Sequence, residues 1–141
     1  MMRADIAQAI KGMLAATGKF GAVCGLGSDK PAYPLARVWI NGCPRDGNID
    51  NTPDALLDLR VAVQIETWLP KDNDGNSIDT ALYDLVDTAF AGLHNKKIPG
   101  KGTLPLIAYD HPGLGAYSSD GPAVYTIQVS VRVAPQHFSI T

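Results

Sequence analysis

Between residues 57 and 69 every second side chain is apolar or small: Leu57, Leu59, Val61, Val63, Ile65, Thr67 and Leu69. Asp58, Arg60, Gln64 and Glu66 fall between them. A period of two sends one set to a buried face and the other toward water, so it predicts a half-buried strand. Pro70 has no backbone donor and stops the ladder. Residues 71–76, Lys-Asp-Asn-Asp-Gly-Asn, read as a turn in which Gly75 is free to take positive φ. Ser77 is the expected N-cap of a following helix, and Asp79 suits the positive end of its dipole. Ile78, Ala81, Leu82, Leu85, Val86, Ala89, Phe90 and Leu93 recur at helical spacing and form one wide apolar stripe. A half-buried strand leading into an amphipathic helix is expected to fold back until both apolar faces meet, and this pair is the centre of the predicted domain.

The rest of the chain is patterned around it. Ile6, Ala9, Ile10, Met13 and Leu14 predict a first helix over about residues 3–17, ended by Gly18. Residues 20–26 are short and broken by glycine, readable as an edge strand or a loop. Residues 35–41 read as a strand, with Ala36, Val38 and Ile40 alternating with Leu35, Arg37, Trp39 and Asn41. The polar stretch 42–54, opened by the turn pair Asn41-Gly42, reads as a projecting loop joining two antiparallel strands. Residues 94–97 end the second helix, 99–102 are a linker, 104–109 a short strand, and 111–122 a loop rich in glycine and proline. Ala123, Tyr125, Ile127, Val129, Val131 and Val133 mark the last strand, which Pro135 ends. This order of elements predicts an α+β fold: a mostly antiparallel four- to five-stranded sheet with two helices packed on one face. One domain over 1–135 is expected, with 136–141 as a C-terminal tail.

With 141 residues the chain suits a single core. A formal net charge of −2 supplies no basic field for nucleic acid or an anionic membrane. Arg3, Asp5, Gln8 and Lys11 interrupt the first apolar stretch, so no signal peptide is expected, and no run reaches the ~18 apolar residues of a membrane span. A cytoplasmic setting is expected. There Cys24 and Cys43 remain thiols, though the sequence does not decide whether they pair.

Chemistry is sparse. Counted from Asp72, a calcium loop needs glycine at position 77 and glutamate at 83, where Ser77 and Tyr83 stand. Gly25-Leu26-Gly27 and Gly113-Leu114-Gly115 do not complete a dinucleotide fingerprint. His94, His111 and His137 lie far apart, without metal-ligand spacing. Ser118 and Ser119 lack a nucleophile elbow, and nothing near Cys24 or Cys43 supplies a base. The expectation is a protein that is not an enzyme and has no metal or cofactor; a small enzyme with a scattered site is the rival. The charge clusters read by default as solvated surface, with a docking patch as the other option. Lys96, Lys97 and Lys101 form a basic cluster, and Asp46, Asp50, Asp54 and Asp58 an acidic stretch. Opposite patches on one chain suit a head-to-tail contact between identical subunits, which closes into a ring when the rotation permits. Arg45 in the 42–54 loop and His111 and Tyr117 in the 111–121 loop complete the candidate interface. A peptide laid along residues 124–133 is a further option if that strand lies at an edge.

Residues 33–42, Tyr-Pro-Leu-Ala-Arg-Val-Trp-Ile-Asn-Gly, resemble the start of the first long strand in the minor tail protein U family, the tail terminators of long-tailed phages. The resemblance continues through the strand 60–70 with its Trp68-Leu69-Pro70 end, the acidic helix start Ser77-Ile78-Asp79, and Ala116-Tyr117-Ser118-Ser119 before the last strand. It covers about two thirds of the chain, leaving 18–27 and 96–102 unmatched. It implies a homohexameric ring that caps the head-proximal end of the tail tube, stops tube polymerisation and offers a surface to the head-completion protein. The partners implied are other copies of itself, tail tube protein and head-completion protein, met in the host cytoplasm and then in the virion tail. A head–tail connector or neck protein is the alternative.

Overall fold

The computed structural model describes residues 2–26, 32–43, 57–75, 77–100, 102–117 and 120–134. Its elements are α1 (Met2–Ala16), β1 (Ala22–Cys24), β2 (Leu35–Gly42), β3 (Leu57–Thr67), α2 (Thr80–Leu93), β4 (Ile107–Leu114) and β5 (Ala123–Val133). The fold is α+β, with one five-stranded sheet in the order β1-β2-β3-β5-β4. The β2–β3, β3–β5 and β4–β5 pairs are antiparallel, as expected, while β1 runs parallel to β2 and makes the sheet mixed. The ambiguous segment near residue 22 is therefore an edge strand. Gly21 and Ala22 both donate to the Pro34 carbonyl, at 2.7 and 3.4 Å, and so dock β1 beside the start of β2. Only glycine fits there, since a Cβ on Gly21 would lie 2.9 Å from the Tyr33 carbonyl oxygen.

β3 is the spine. It pairs with β5 along its whole length, from Leu57 opposite Val133 to Thr67 opposite Ala123. One row, Val23–Ala36–Ile65–Tyr125–Leu114, crosses all five strands. Because paired residues share a face, Leu59, Val61, Val63 and Ile65 stand beside Ile127, Val129 and Val131, all fully buried. Ile6, Ile10 and Leu14 of α1 and Leu82, Ala89 and Leu93 of α2 cover that face. The helices touch each other near Gly92, where a Cβ would come 3.1 Å from Thr17 Cγ2.

Three expectations are corrected. α2 begins at Thr80 with Asp79 as N-cap, not Ser77. Ser77 is held instead in a bridge to Lys71, while Ile78 donates to the Pro70 carbonyl at 2.7 Å, closing the turn as a small hairpin in which Gly75 has φ 83°. The segment after His111 does not become loop at once. β4 starts at Ile107 and runs to Leu114, passing Pro112 through a register shift between Asp110 and Gly113. An edge strand tolerates proline at a bulge, because no inner ladder bond is lost. Finally, β5 lies between β3 and β4, which removes the edge-strand peptide site at 124–133. Cys24 and Cys43 are free thiols. Of the projecting loop expected over 42–54, residues 44–54 lie outside the described residues, as does the C-terminal tail at 136–141.

Candidate functional site

The polar set of β3 faces away from the helices, and the register brings it beside the polar sets of β2, β5 and β4. Arg37 Nε donates to Glu66 Oε2 at 3.0 Å. Arg60 makes a charge-assisted bond to Asp58 Oδ2 at 2.8 Å and donates through Nη1 to the Tyr109 hydroxyl at 2.7 Å. The hydrogen bond and charge of Asp58, with lesser help from Tyr109 and against the cost of burial, raise the Arg60 pKa above its ordinary value. Ser130 donates to the other oxygen of Asp58. Asn41 Nδ2 donates to Gln128 Oε1 at 3.0 Å, and Gln128 Nε2 donates to the Tyr109 hydroxyl. Gln128 and Ser130 are buried although they lie on the polar face, and these bonds offset their desolvation. The Nε atoms of Arg60 and Arg132 are buried without a partner among the described residues. At one end of the network a cavity of about 420 Å³ opens, lined by Asn41, Cys43, Arg60, Tyr109, His111 and Gln128. Tyr109 accepts from two donors, so its own hydroxyl hydrogen is left for another acceptor.

The two sheet edges differ. At the start of β4 outward backbone groups are used: Leu106, just before the strand, donates to the Lys96 carbonyl at 2.8 Å and accepts from Asn95 at 2.7 Å, and Ala108 donates to His94 Nδ1 at 3.1 Å. Pro112 has no donor, so this edge is poorly suited to a further strand. Above it, between the start of α2 and the end of β4, Leu69, Leu82, Tyr83, Leu114, Tyr117 and Ala123 enclose an apolar hollow of about 190 Å³. The Tyr117 and Ser77 hydroxyls hydrogen-bond across its mouth at 2.8 Å. Asp79, Tyr83 and Asp87 form an exposed stripe at helical spacing beside it. The Tyr83 pKa is raised by a hydrogen bond to Asp79, by that carboxylate's charge and by desolvation. Burial first, then the hydrogen bond and charge of Asp110, push Tyr125 up to about 12.

Of the sequence-predicted site residues, Asp58 sits on the polar face and holds Arg60 and Ser130 rather than standing free. His111 lines the open-face cavity and Tyr117 the hollow. Lys96 and Lys97 are exposed beyond the end of α2, where they line a shallow groove with Met13 and Thr17. Arg45, Asp46, Asp50, Asp54 and Lys101 lie outside the described residues. Asn41, Arg60, Tyr109 and Gln128 were missed as a group. Each falls at a polar position of a strand, and only cross-strand register brings them together. Among the described residues no cluster of three His, Cys, Asp or Glu is arranged to hold a metal. No described helix is long and apolar enough to cross a membrane.

Neither a protein-family model nor a curated protein sequence matches the chain. Among solved structures, the chain is similar in fold to a chain in the virion of a native gene transfer agent particle. The TM-score is 0.58 at 12% identity, over 92% of this chain and 94% of the other.

Proposed function

We propose that this protein is a structural component of a phage-like particle, and within it the tail terminator: a homohexameric ring capping the head-proximal end of the tail tube. The observation that carries the reading is the fold shared with a virion chain across nearly the full length of both. The sequence motifs that resemble the minor tail protein U family lie on the start of β2, the end of β3, the approach to α2 and the segment before β5. In this reading residues 1–135 form one domain and 136–141 a tail, and the protein assembles in the host cytoplasm before entering the virion. The ring stops tube polymerisation and presents a surface to the head-completion protein. Its role is mechanical, not catalytic.

The candidate contact residues keep that status: Arg45, Asp46, Asp50, Asp54, Asp58, Lys96, Lys97, Lys101, His111 and Tyr117. A head–tail connector or neck protein fits the same fold match and differs in partner. Native mass spectrometry over a range of concentrations, with and without tail-tube protein, separates them. A ring of six, alone or on the tube, supports the terminator. A protein that never associates with itself or with the tube rejects it.

A further inference from the structure

We infer that in the assembled ring Leu26 of one copy enters the apolar hollow between α2 and β4 of the next copy, with Lys11 and Lys19 facing the hollow's acidic rim. The inference rests on the ring reading and names the surfaces that build it. Leu26 follows β1 and is 73% exposed, more than any other large apolar side chain described. The hollow, at about 190 Å³, has room for one aliphatic side chain. Its floor is apolar, from Leu69, Leu82 and Ala123, while Leu114, Tyr83 and Tyr117 at its mouth are 52%, 45% and 39% exposed. An apolar centre within a polar rim is the anatomy of a contact that excludes water.

Charge gives the contact its direction. Asp79, Asp84 and Asp87 are exposed at the start of α2 and along it, and no lysine or arginine occurs within that helix. Asp110 adds a carboxylate from β4, hydrogen-bonded to Tyr125. Lys96 and Lys97 come only after the helix ends. On the opposite edge Lys11 Nζ stands 3.2 Å from where a Cβ on Gly25 would be, which puts the ammonium beside Gly25, the residue before Leu26. Lys19 precedes β1 on the same edge. Two acidic rims repel each other, so a symmetric contact of the hollow with itself is disfavoured. Acidic against basic pairs one edge with the other, and such a heterologous contact closes into a ring or continues as a filament.

The sheet fixes how far one edge must move to meet the other. The row from Val23 on β1 to Leu114 on β4 runs straight across the strands. Leu26 lies three residues past Val23, on the Tyr109 side of that row, and the hollow, with Leu69 and Ala123, lies on its other side, so a neighbour that seats Leu26 there is displaced along the strands as well as along the row. Because Pro112 interrupts the β4 edge and Ala108 is already bonded to His94, the contact there is made by side chains.

The test is a charge swap. Lys11→Glu with Lys19→Glu gives a subunit with added carboxylates on its β1 edge as well as those on α2, and Asp84→Lys with Asp87→Lys one with lysines on both edges. Each double variant, checked for native circular dichroism, is expected to lose self-association by about tenfold or more in native mass spectrometry. An equimolar mixture is expected to recover it as alternating assemblies. Wild-type rings with either double variant unchanged, or with no recovery on mixing, overturn the contact and leave the ring reading standing. A wild type that stays monomeric under every condition, including on tube protein, overturns both. A second arm uses disulfide trapping in a Cys24→Ser, Cys43→Ser background. Leu26→Cys together with Leu114→Cys is expected to give a ladder of cross-linked species, and neither change alone to give any. Dimers from a single change, or no ladder from the pair in a protein that does assemble, reject the assignment.

Discussion

Replacing Val63 by aspartate tests the division of the sheet into a folding face and an open face. Val63 is fully buried at the centre of β3, opposite Val38 on one side and Ile127 on the other. Removing the valine side chain from the core costs about 2 kcal/mol in lost transfer. The introduced carboxyl meets no partner there, and keeping it protonated at pH 7, about three units above its ordinary pKa, costs about 4 kcal/mol more. A buried carboxyl without hydrogen bonds adds about 1–3 kcal/mol. The total, about 7–9 kcal/mol, matches or exceeds the whole stability of many domains, about 5–15 kcal/mol. The variant is expected to be unfolded or nearly so at pH 7 by far-ultraviolet circular dichroism. The protonation cost vanishes near pH 4, because the buried carboxyl has a raised folded-state pKa and penalises the fold only above its unfolded value. Val63→Asn, which cannot ionise, is therefore expected to lack the extra loss between acid and neutral pH. The adjacent change Gln64→Asp faces the other way and is expected to cost far less. A cooperative native melt for Val63→Asp at pH 7, with Gln64→Asp unfolded, shows that the faces have been assigned the wrong way round.

Tyr125, pushed up to about 12 from the ordinary 10, keeps its proton in the folded state where the unfolded chain has lost it. Its contribution is complete below pH 10 and is lost as pH rises toward 12, so denaturation midpoints should fall over that window in the wild type and fall less in Tyr125→Phe. Gly21→Ala places a methyl 2.9 Å from the Tyr33 carbonyl oxygen and is expected to cost about 1–3 kcal/mol in chemical denaturation while leaving helix content unchanged. Gln128→Ala removes the link between Asn41 and Tyr109 at a nearly buried position. It should cost about 1–3 kcal/mol, and Gln128→Leu, which fills the space without pairing Asn41, should not recover it.

The long elements were legible because their patterns are strong and local. The period of two in apolar side chains marks most of β3 and β5, broken at Ala62 and Val124, and the helical stripe of α2 runs from Leu82 to Leu93. β4 was misread at its C-terminal half because Pro112 and Gly113 look like loop. The bulge that admits them depends on β4 being an edge strand, and position in a sheet is a property of topology, not of a local window. Asp79 displaced Ser77 as the cap for a similar reason: the Ser77 hydroxyl is engaged by Tyr117, forty residues away in sequence. The open-face network was hidden because Asn41, Arg60, Tyr109 and Gln128 come from four strands. Sequence marks each as polar in a strand but says nothing of the register that joins them. The acidic stretch was read by sign alone, and Asp58 proves to be neutralised by Arg60 at 2.8 Å.

The chemistry of the open face bears on what could cover it. A face that always meets water needs no buried glutamine, and a face permanently covered by another layer is built from valine and leucine, as the opposite face of this sheet is. Gln128 and Ser130 lie buried among Asn41, Arg60, Tyr109 and Asp58, with their bonds completed within the sheet, so the face is stable without a partner. Yet Tyr109 has a hydroxyl hydrogen to give and Arg60 Nε has no acceptor among the described residues, so the network offers donors at its cavity end. Under the ring reading the edges are taken by neighbouring copies, which leaves this face for a different protein of the particle. Such a contact is polar and wet, and it forms without refolding the subunit. Substitutions at Tyr109 or Arg60 should therefore disturb attachment to that protein while rings still form, and substitutions at Leu26 or Leu114 should do the reverse.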